Sequence, residues 1–217
     1  LRSFSLTEAS PEVVPAGFLL DYLEKTTNTH VPHIAGIQVY QDSQYVIIDD
    51  SSRRNLEITG NLRDGTVQFS LLECVDHTRT AMGARLIREW LSFPLTDKAK
   101  IESRQSHVEL FVSDRNLLRR LQEKLDGILD IERLSSRIAL DKAHAKDLTA
   151  LANSLSLWLI TQEILCQNNF ATLDSKIAQN IINVIRSALL DDPATVFTEG
   201  RIIRPGWSEE LDYWRNM

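Results

Sequence analysis

Gly127-Ile128-Leu129-Asp130-Ile131-Glu132-Arg133-Leu134-Ser135-Ser136-Arg137-Ile138-Ala139-Leu140 is the stretch that decides the fold. Asp130 stands where a helix N-cap belongs, and Ile131, Leu134 and Ile138 then recur at helical intervals on one face. Downstream, Lys146-Asp147 is expected to open a long helix carrying Leu148, Leu151, Leu155, Leu159 and Leu165. Upstream, Ser113-Asp114 opens a run with Leu117, Leu118, Leu121 and Leu125. Before it, Thr96-Asp97 opens one with Ile101, Val108 and Phe111 or Val112 on one face. The period of this whole region is that of packed α-helices.

Further out the same grammar holds. Ser70 is placed to cap Leu71 to Asp76, and Thr80 to cap a helix through Leu86 and Trp90 that stops near Pro94. Asp174 is placed to cap an amphipathic run through Ile177, Ile181, Ile185 and Ala188, which Asp191-Asp192-Pro193 breaks. Thr198 to Arg201 reads as a turn beside a short β-like Ile202-Ile203, and Ser208 caps a last helix, expected to fray after Trp207. Towards the start, Pro15 suits the first turn of a helix with Leu19, Leu20 and Leu23, ended by Thr26-Thr27-Asn28. Two β-like runs, Ile34 to Tyr40 and Tyr45 to Ile48, flank Gln41-Asp42-Ser43-Gln44 and predict a small hairpin. Asp49-Asp50-Ser51 then offers an N-cap to a short helix through Arg53 and Glu57. The expected fold is mainly α, a multi-helix domain with a small β-hairpin near the N-terminus.

The totals narrow the function. With 217 residues, 43% hydrophobic and 25% charged, the chain has globular composition and can bury a real core. Its 24 Lys and Arg are outnumbered by 30 Asp and Glu, for a net charge of -6, which argues against gripping duplex phosphates through its own surface. Cys74 and Cys166 match no paired spacing, so a disulfide framework is not implied and a reducing, cytoplasmic setting is expected. No apolar run reaches the length of a membrane span. Lacking an initiator Met and a basic-then-apolar leader, the chain reads as a segment of a longer protein.

Chemistry is sparse. A phosphate-cradling loop needs clustered glycines followed by Lys and a Ser or Thr, yet the eight glycines are scattered and none precedes a Lys. His30 and His33 form one close pair, but no third ligand stands nearby, so a loop role is weighed ahead of metal. Asp191-Asp192 and Glu209-Glu210 are adjacent carboxylates, which point apart on a helix and suit solvated ends. Arg119-Arg120 beside Glu123-Lys124 reads as a mixed-charge face. Arg85 and Arg88, three apart beside Glu89, are placed to anchor helix contacts; with Arg53 and Arg54 they also keep a direct nucleic-acid reading open, and a helical protein-interaction scaffold is a further alternative.

Several stretches in order resemble the core (lever) domain of the MutS family of DNA mismatch-repair ATPases. The run from Asp49 through Arg53-Arg54-Asn55-Leu56-Glu57 to Thr59 is similar to the element that opens that domain. In it Arg53 and Glu57 stand one turn apart and can pair, Leu56 and Ile58 can pack inward, and Asn55 either locks a backbone feature or lies exposed. Ser70 to Leu91 also resembles the family, down to Thr78-Arg79-Thr80-Ala81-Met82-Gly83 and the following Pro94-Leu95. Glu102 to Gln105, Asp130-Ile131-Glu132-Arg133-Leu134 and Gly200 to Asp212 agree as well.

The resemblance implies domains as follows: residues 1–33 as the tail of a connector domain, and 34–217 as the core, ending before a DNA clamp. Arg53, Arg54, Asn55, Leu56, Glu57, Thr80, Met82, Gly83, Asp130, Glu132, Arg133 and Leu134 are implied as structural motif residues, with no catalytic, cofactor or metal site here. ATP and Mg, mismatched duplex DNA, a MutL-type partner and self-dimerisation belong, by resemblance, to parts of the parent outside this chain. What the core supplies, on the same ground, is stiff helices that pass displacement between ATPase and clamp.

Overall fold

The computed structural model describes residues 11, 13–27, 44–168, 170, 171, 173–196, 198 and 200–217. Among them stand ten helices: α1 (Val13–Thr27), α2 (Asp50–Asn55), α3 (Leu71–Val75), α4 (Ala81–Ser92), α5 (Lys98–Ser113), α6 (Arg115–Leu125), α7 (Ile131–Ala139), α8 (Ala145–Cys166), α9 (Lys176–Ala188) and α10 (Glu209–Arg215). The mainly helical expectation holds. Two compact units divide the chain, Leu1–Tyr45 with α1 and Val46–Met217 with the rest.

The expected hairpin does not appear. Its first run, Ile34 to Tyr40, lies outside the described residues, as do His30 and His33. Val46 to Ile48 forms no strand; the Val46 N–H is instead taken by the Pro94 carbonyl at 2.8 Å. A β-like pattern of three or four residues carries too little pairing to be a strand unless a neighbour offers a ladder. Ile202-Ile203 does find one: Leu189 and Ile203 form an antiparallel bridge, with Leu190 N–H on Ile202 O at 2.9 Å and Arg204 N–H on Ala188 O at 2.8 Å.

Helix starts follow the capping chemistry. Asp49 accepts from Ser52 N–H, Ser70 from Glu73, Thr80 from Gly83, Asp97 from Ala99 and Lys100, Asp114 from Leu117, Asp130 from Arg133 and Ser208 from Leu211. Each satisfies an amide that the first helical turn leaves without an internal partner. α8 departs from expectation. It begins at Ala145, with Asp147 inside the first turn reaching back to the His144 N–H at 2.9 Å.

Two apolar clusters hold α5 to α9 together. One joins Leu134, Ala145, Leu151, Ala152, Ile185, Leu189 and Ile202, with Ile131, Ile138 and Leu148 packed against it. The other joins Leu117, Leu121 and Ile164, with Leu110 and Phe111 against it. Each large side chain buried there contributes roughly 2 kcal/mol. α8 runs between them and packs on α6, α7 and α9, which is why its apolar residues are spread around the helix rather than striped. In α5 the inward face is Leu110 and Phe111, while Val108 and Val112 stay exposed.

Candidate functional site

No group of three or more His, Cys, Asp or Glu able to hold a metal occurs among the described residues. No helix among them is long and apolar enough to cross a membrane. The polar features that stand out are arginine contacts that tie one helix to another.

The first is at α2. Arg53 reaches across to α4, donating to the Ser92 carbonyl at 3.3 Å, with its guanidinium carbon 5.6 Å from the Phe93 ring centre. Its Nε is sealed from solvent without an acceptor. The expected pair with Glu57 is not made, because the helix ends at Asn55 and Glu57 turns to φ 48°, outside helical geometry. Glu57 instead accepts from Leu62 N–H at 2.7 Å and closes the next loop. Leu56 is 64% exposed and corrects the expectation that it packs inward, whereas Ile58 at 5% does pack inward. Arg54 and Asn55 lie on the exposed side.

The second is at the start of α7. Arg85 of α4 grips Asp130 with both terminal nitrogens, at 2.7 and 2.8 Å, and also reaches Glu132 at 2.6 Å. Asp130 therefore serves twice, as helix cap and as anion, and Arg85 with the Arg133 N–H holds its carboxyl down to about 2. The same two acids raise the Arg85 pKa. Thr80, half-buried Met82 and Gly83 form the first turn of α4 that aims Arg85. A Cβ on Gly83 would sit 3.1 Å from Thr80 Oγ1 and 3.2 Å from Thr78 Cβ, so this turn fits around the missing side chain. Leu134 points into the core; Arg133 is exposed.

A third contact fixes the base of α8. Arg137 donates to Asp147 from Nε at 3.1 Å and Nη2 at 2.9 Å, and to the Lys142 carbonyl at 3.1 Å. The His144 N–H and then Arg137 lower the Asp147 pKa. Nearby, the turn Gly127-Ile128-Leu129 crosses α8 closely: Leu129 N–H donates to the buried Ser154 Oγ at 3.1 Å. A Cβ on Gly127 would lie 2.6 Å from Leu157 Cδ1.

The sequence pointed to the Asp130 and Thr80 caps, to an inward Leu134 and to Arg85 as an anchor of helix contacts, but not to Asp130 as the partner of Arg85 or to the Arg137 to Asp147 contact. Arginines facing acids one or three helices away leave no periodic trace. Trp90 carries a similar surprise, with the Arg104 guanidinium 3.7 Å over its ring.

Helices tied to one another by arginine contacts and packed around α8 define a helical domain. Comparison with known proteins agrees: the family model for MutS domain III matches residues 51–213. The chain is 40% identical to the DNA mismatch repair protein MutS of Treponema denticola, over 100% of this chain and 25% of that protein. It is 36% identical to that of Treponema pallidum subsp. pallidum, covering 98% and 24%, and 39% identical to that of Acaryochloris marina, covering 93% and 23%. The chain belongs to the MutS domain III family. It spans about a quarter of the length of these curated relatives.

Proposed function

We propose that this chain is the core, or lever, of a DNA mismatch repair protein, carrying displacement between a distant ATPase and a DNA clamp. In this reading residues 1–33 end a connector domain and 34–217 form the lever. ATP with Mg, mismatched duplex DNA, a MutL-type partner and a second copy of the protein engage other parts of the parent, in the cytoplasm. The twelve motif residues named above act as structure, with Arg53 and Asp130 as fixed points.

One observation carries the reading: α8, 22 residues long and so about 33 Å from end to end, is packed on three helices and pinned at its base by Arg137 and Asp147. A helix so supported moves as a body, which is what transmission requires. Direct nucleic-acid binding loses support because Arg53 and Arg85 are already engaged inside the chain. The scaffold alternative draws on an apolar groove of about 530 Å³ lined by Ile138, Leu148, Leu151, Ile181, Val184 and Ile185.

The test uses the full-length parent with Arg137→Ala, its loosened α8 verified by hydrogen exchange. Mismatched-duplex affinity without nucleotide and ATP turnover without DNA are expected to persist, while ATP loses its effect on DNA release. An unaltered ATP effect would remove the lever reading. A partner-bound species in sizing experiments without DNA would favour the scaffold.

A further inference from the structure

Behind α2 lies a cavity to which the lever reading gives no task. It measures about 480 Å³ and is lined by Arg53 and Arg54 of α2 and by Thr59, Gly60, Asn61 and Gly65 of the loop that follows. Arg53 spends one terminal nitrogen on the Ser92 carbonyl, and its Nε is the one buried side-chain polar atom without a partner among the described residues. The exposed Arg54 guanidinium makes no hydrogen bond or ion pair with any described residue. Two cations therefore border one cavity with most of their donors unused.

No carboxylate lines the cavity. The acids nearest in the loop are committed elsewhere, Glu57 accepting from Leu62 N–H at 2.7 Å and Asp64 from Thr66 N–H at 2.9 Å. The backbone adds donors: the Thr59 and Gly60 N–H groups meet no acceptor among the described residues, whereas those of Asn61, Leu62 and Gly65 do. The loop is held in shape from within. Asn61 Oδ1 accepts from the Arg63 and Asp64 N–H groups at 2.9 Å each, and its Nδ2 donates to the Gln68 carbonyl at 2.8 Å. A Cβ on Gly60 would stand 2.8 Å from the Gly65 carbonyl oxygen, so the loop closes only over glycine.

Guanidinium forks and uncommitted amides with no acid among them suit an oxyanion. Phosphate fits better than a carboxylate, because it offers more acceptor oxygens and more negative charge to donors that come from both a helix and a loop. The volume is that of a small-molecule site, and a chain of net charge -6 repels an extended polyanion such as DNA. We propose that this cavity binds a phosphate group, free or borne by a small ester, through the Arg54 guanidinium with Arg53 and the Thr59 and Gly60 N–H groups. The site belongs to the folded chain itself and does not rest on the lever reading, in which Arg54 is structural.

The test titrates the isotope-labelled 217-residue chain at constant ionic strength with inorganic phosphate, glycerol phosphate, acetate and a short DNA duplex, following amide resonances. Saturable movement of the Thr59 and Gly60 signals is expected with the two phosphates and not with acetate, and the tighter of the two tells free anion from ester. Arg54→Gln removes a side chain that holds nothing in the fold and should weaken phosphate binding about tenfold. Arg54→Lys, which keeps the charge and loses the fork, should weaken it less. Signals that do not respond to phosphate overturn the inference, as do an equal response to acetate, a response to the duplex alone, or an affinity that Arg54→Gln leaves unchanged.

Discussion

Gly127→Ala tests the reading of how the α6–α7 turn crosses α8. The added Cβ would stand 2.6 Å from Leu157 Cδ1, some 0.8 Å inside the ordinary contact limit of 3.4 Å. Nothing about the backbone opposes alanine, because Gly127 is absent from the positive-φ glycines. Leu157 is half-buried, and Ser154 one turn earlier already holds the turn through Leu129, so the turn cannot simply back away. Overpacking of this kind costs about 1–3 kcal/mol, set against about 0.4–1 kcal/mol recovered from a stiffer unfolded chain. A net loss of about 1 kcal/mol is expected, seen as a fall in Tm of about 2–4 °C for a domain of this size. Thermal unfolding followed by circular dichroism measures it. The decisive arm is Leu157→Ala, in whose background the clash has no partner atom. There Gly127→Ala should turn neutral or stabilising, a coupling of about 1–3 kcal/mol. If Gly127→Ala is equally harmful with and without Leu157, the close crossing is not the cause and the argument fails.

Two further outcomes follow from the same structure. Leu134→Ala removes a 9% exposed side chain from the cluster of Ala145, Leu151, Ile185 and Ile202, and should cost about 2–4 kcal/mol in urea unfolding; a loss under about 1 kcal/mol would mean α7 is not anchored there. Asp130 has a folded pKa of about 2 against 3.8 ordinarily, so its support is complete above pH 3.8 and fades as pH falls towards 2. Acid titration should show this fading, and Arg85→Ala should diminish the part that Asp130 contributes.

How much of this was legible in the residues depends on range. Caps are local, one side chain meeting an amide two or three positions on, and Ser70, Thr80, Asp97, Asp114, Asp130 and Ser208 were all readable. The end of α2 was not, because Arg53 and Glu57 have the spacing of a helical pair and only their competing partners, Ser92 and Leu62, draw them apart. The hairpin expectation at Val46 to Ile48 failed for a related reason: alternation marks a segment fit for pairing, not one that has found an edge. α8 was recognised by its leucines, but its start was set two residues late, since Asp147 closes the first turn from inside. Arg85 read as an anchor between helices, but its partner lay beyond reach, since Arg85 and Asp130 stand 45 residues apart and only packing brings them together.

The two ends of α8 are secured by different forces, and that has a consequence. Its beginning depends on guanidinium and carboxylate, through Arg137 and Asp147. Its finish leans on rings: Phe170, whose N–H returns to the Leu165 carbonyl, stacks 5.6 Å from Phe111 and 5.2 Å from His107 on α5. Added electrolyte therefore bears on the first end, whereas chilling, which enfeebles apolar association, reaches both, since Ala145 and Leu148 sit in or against a buried cluster. An experimenter can use salt against cold to tell the charged hold at the first tip from the apolar hold that both tips share.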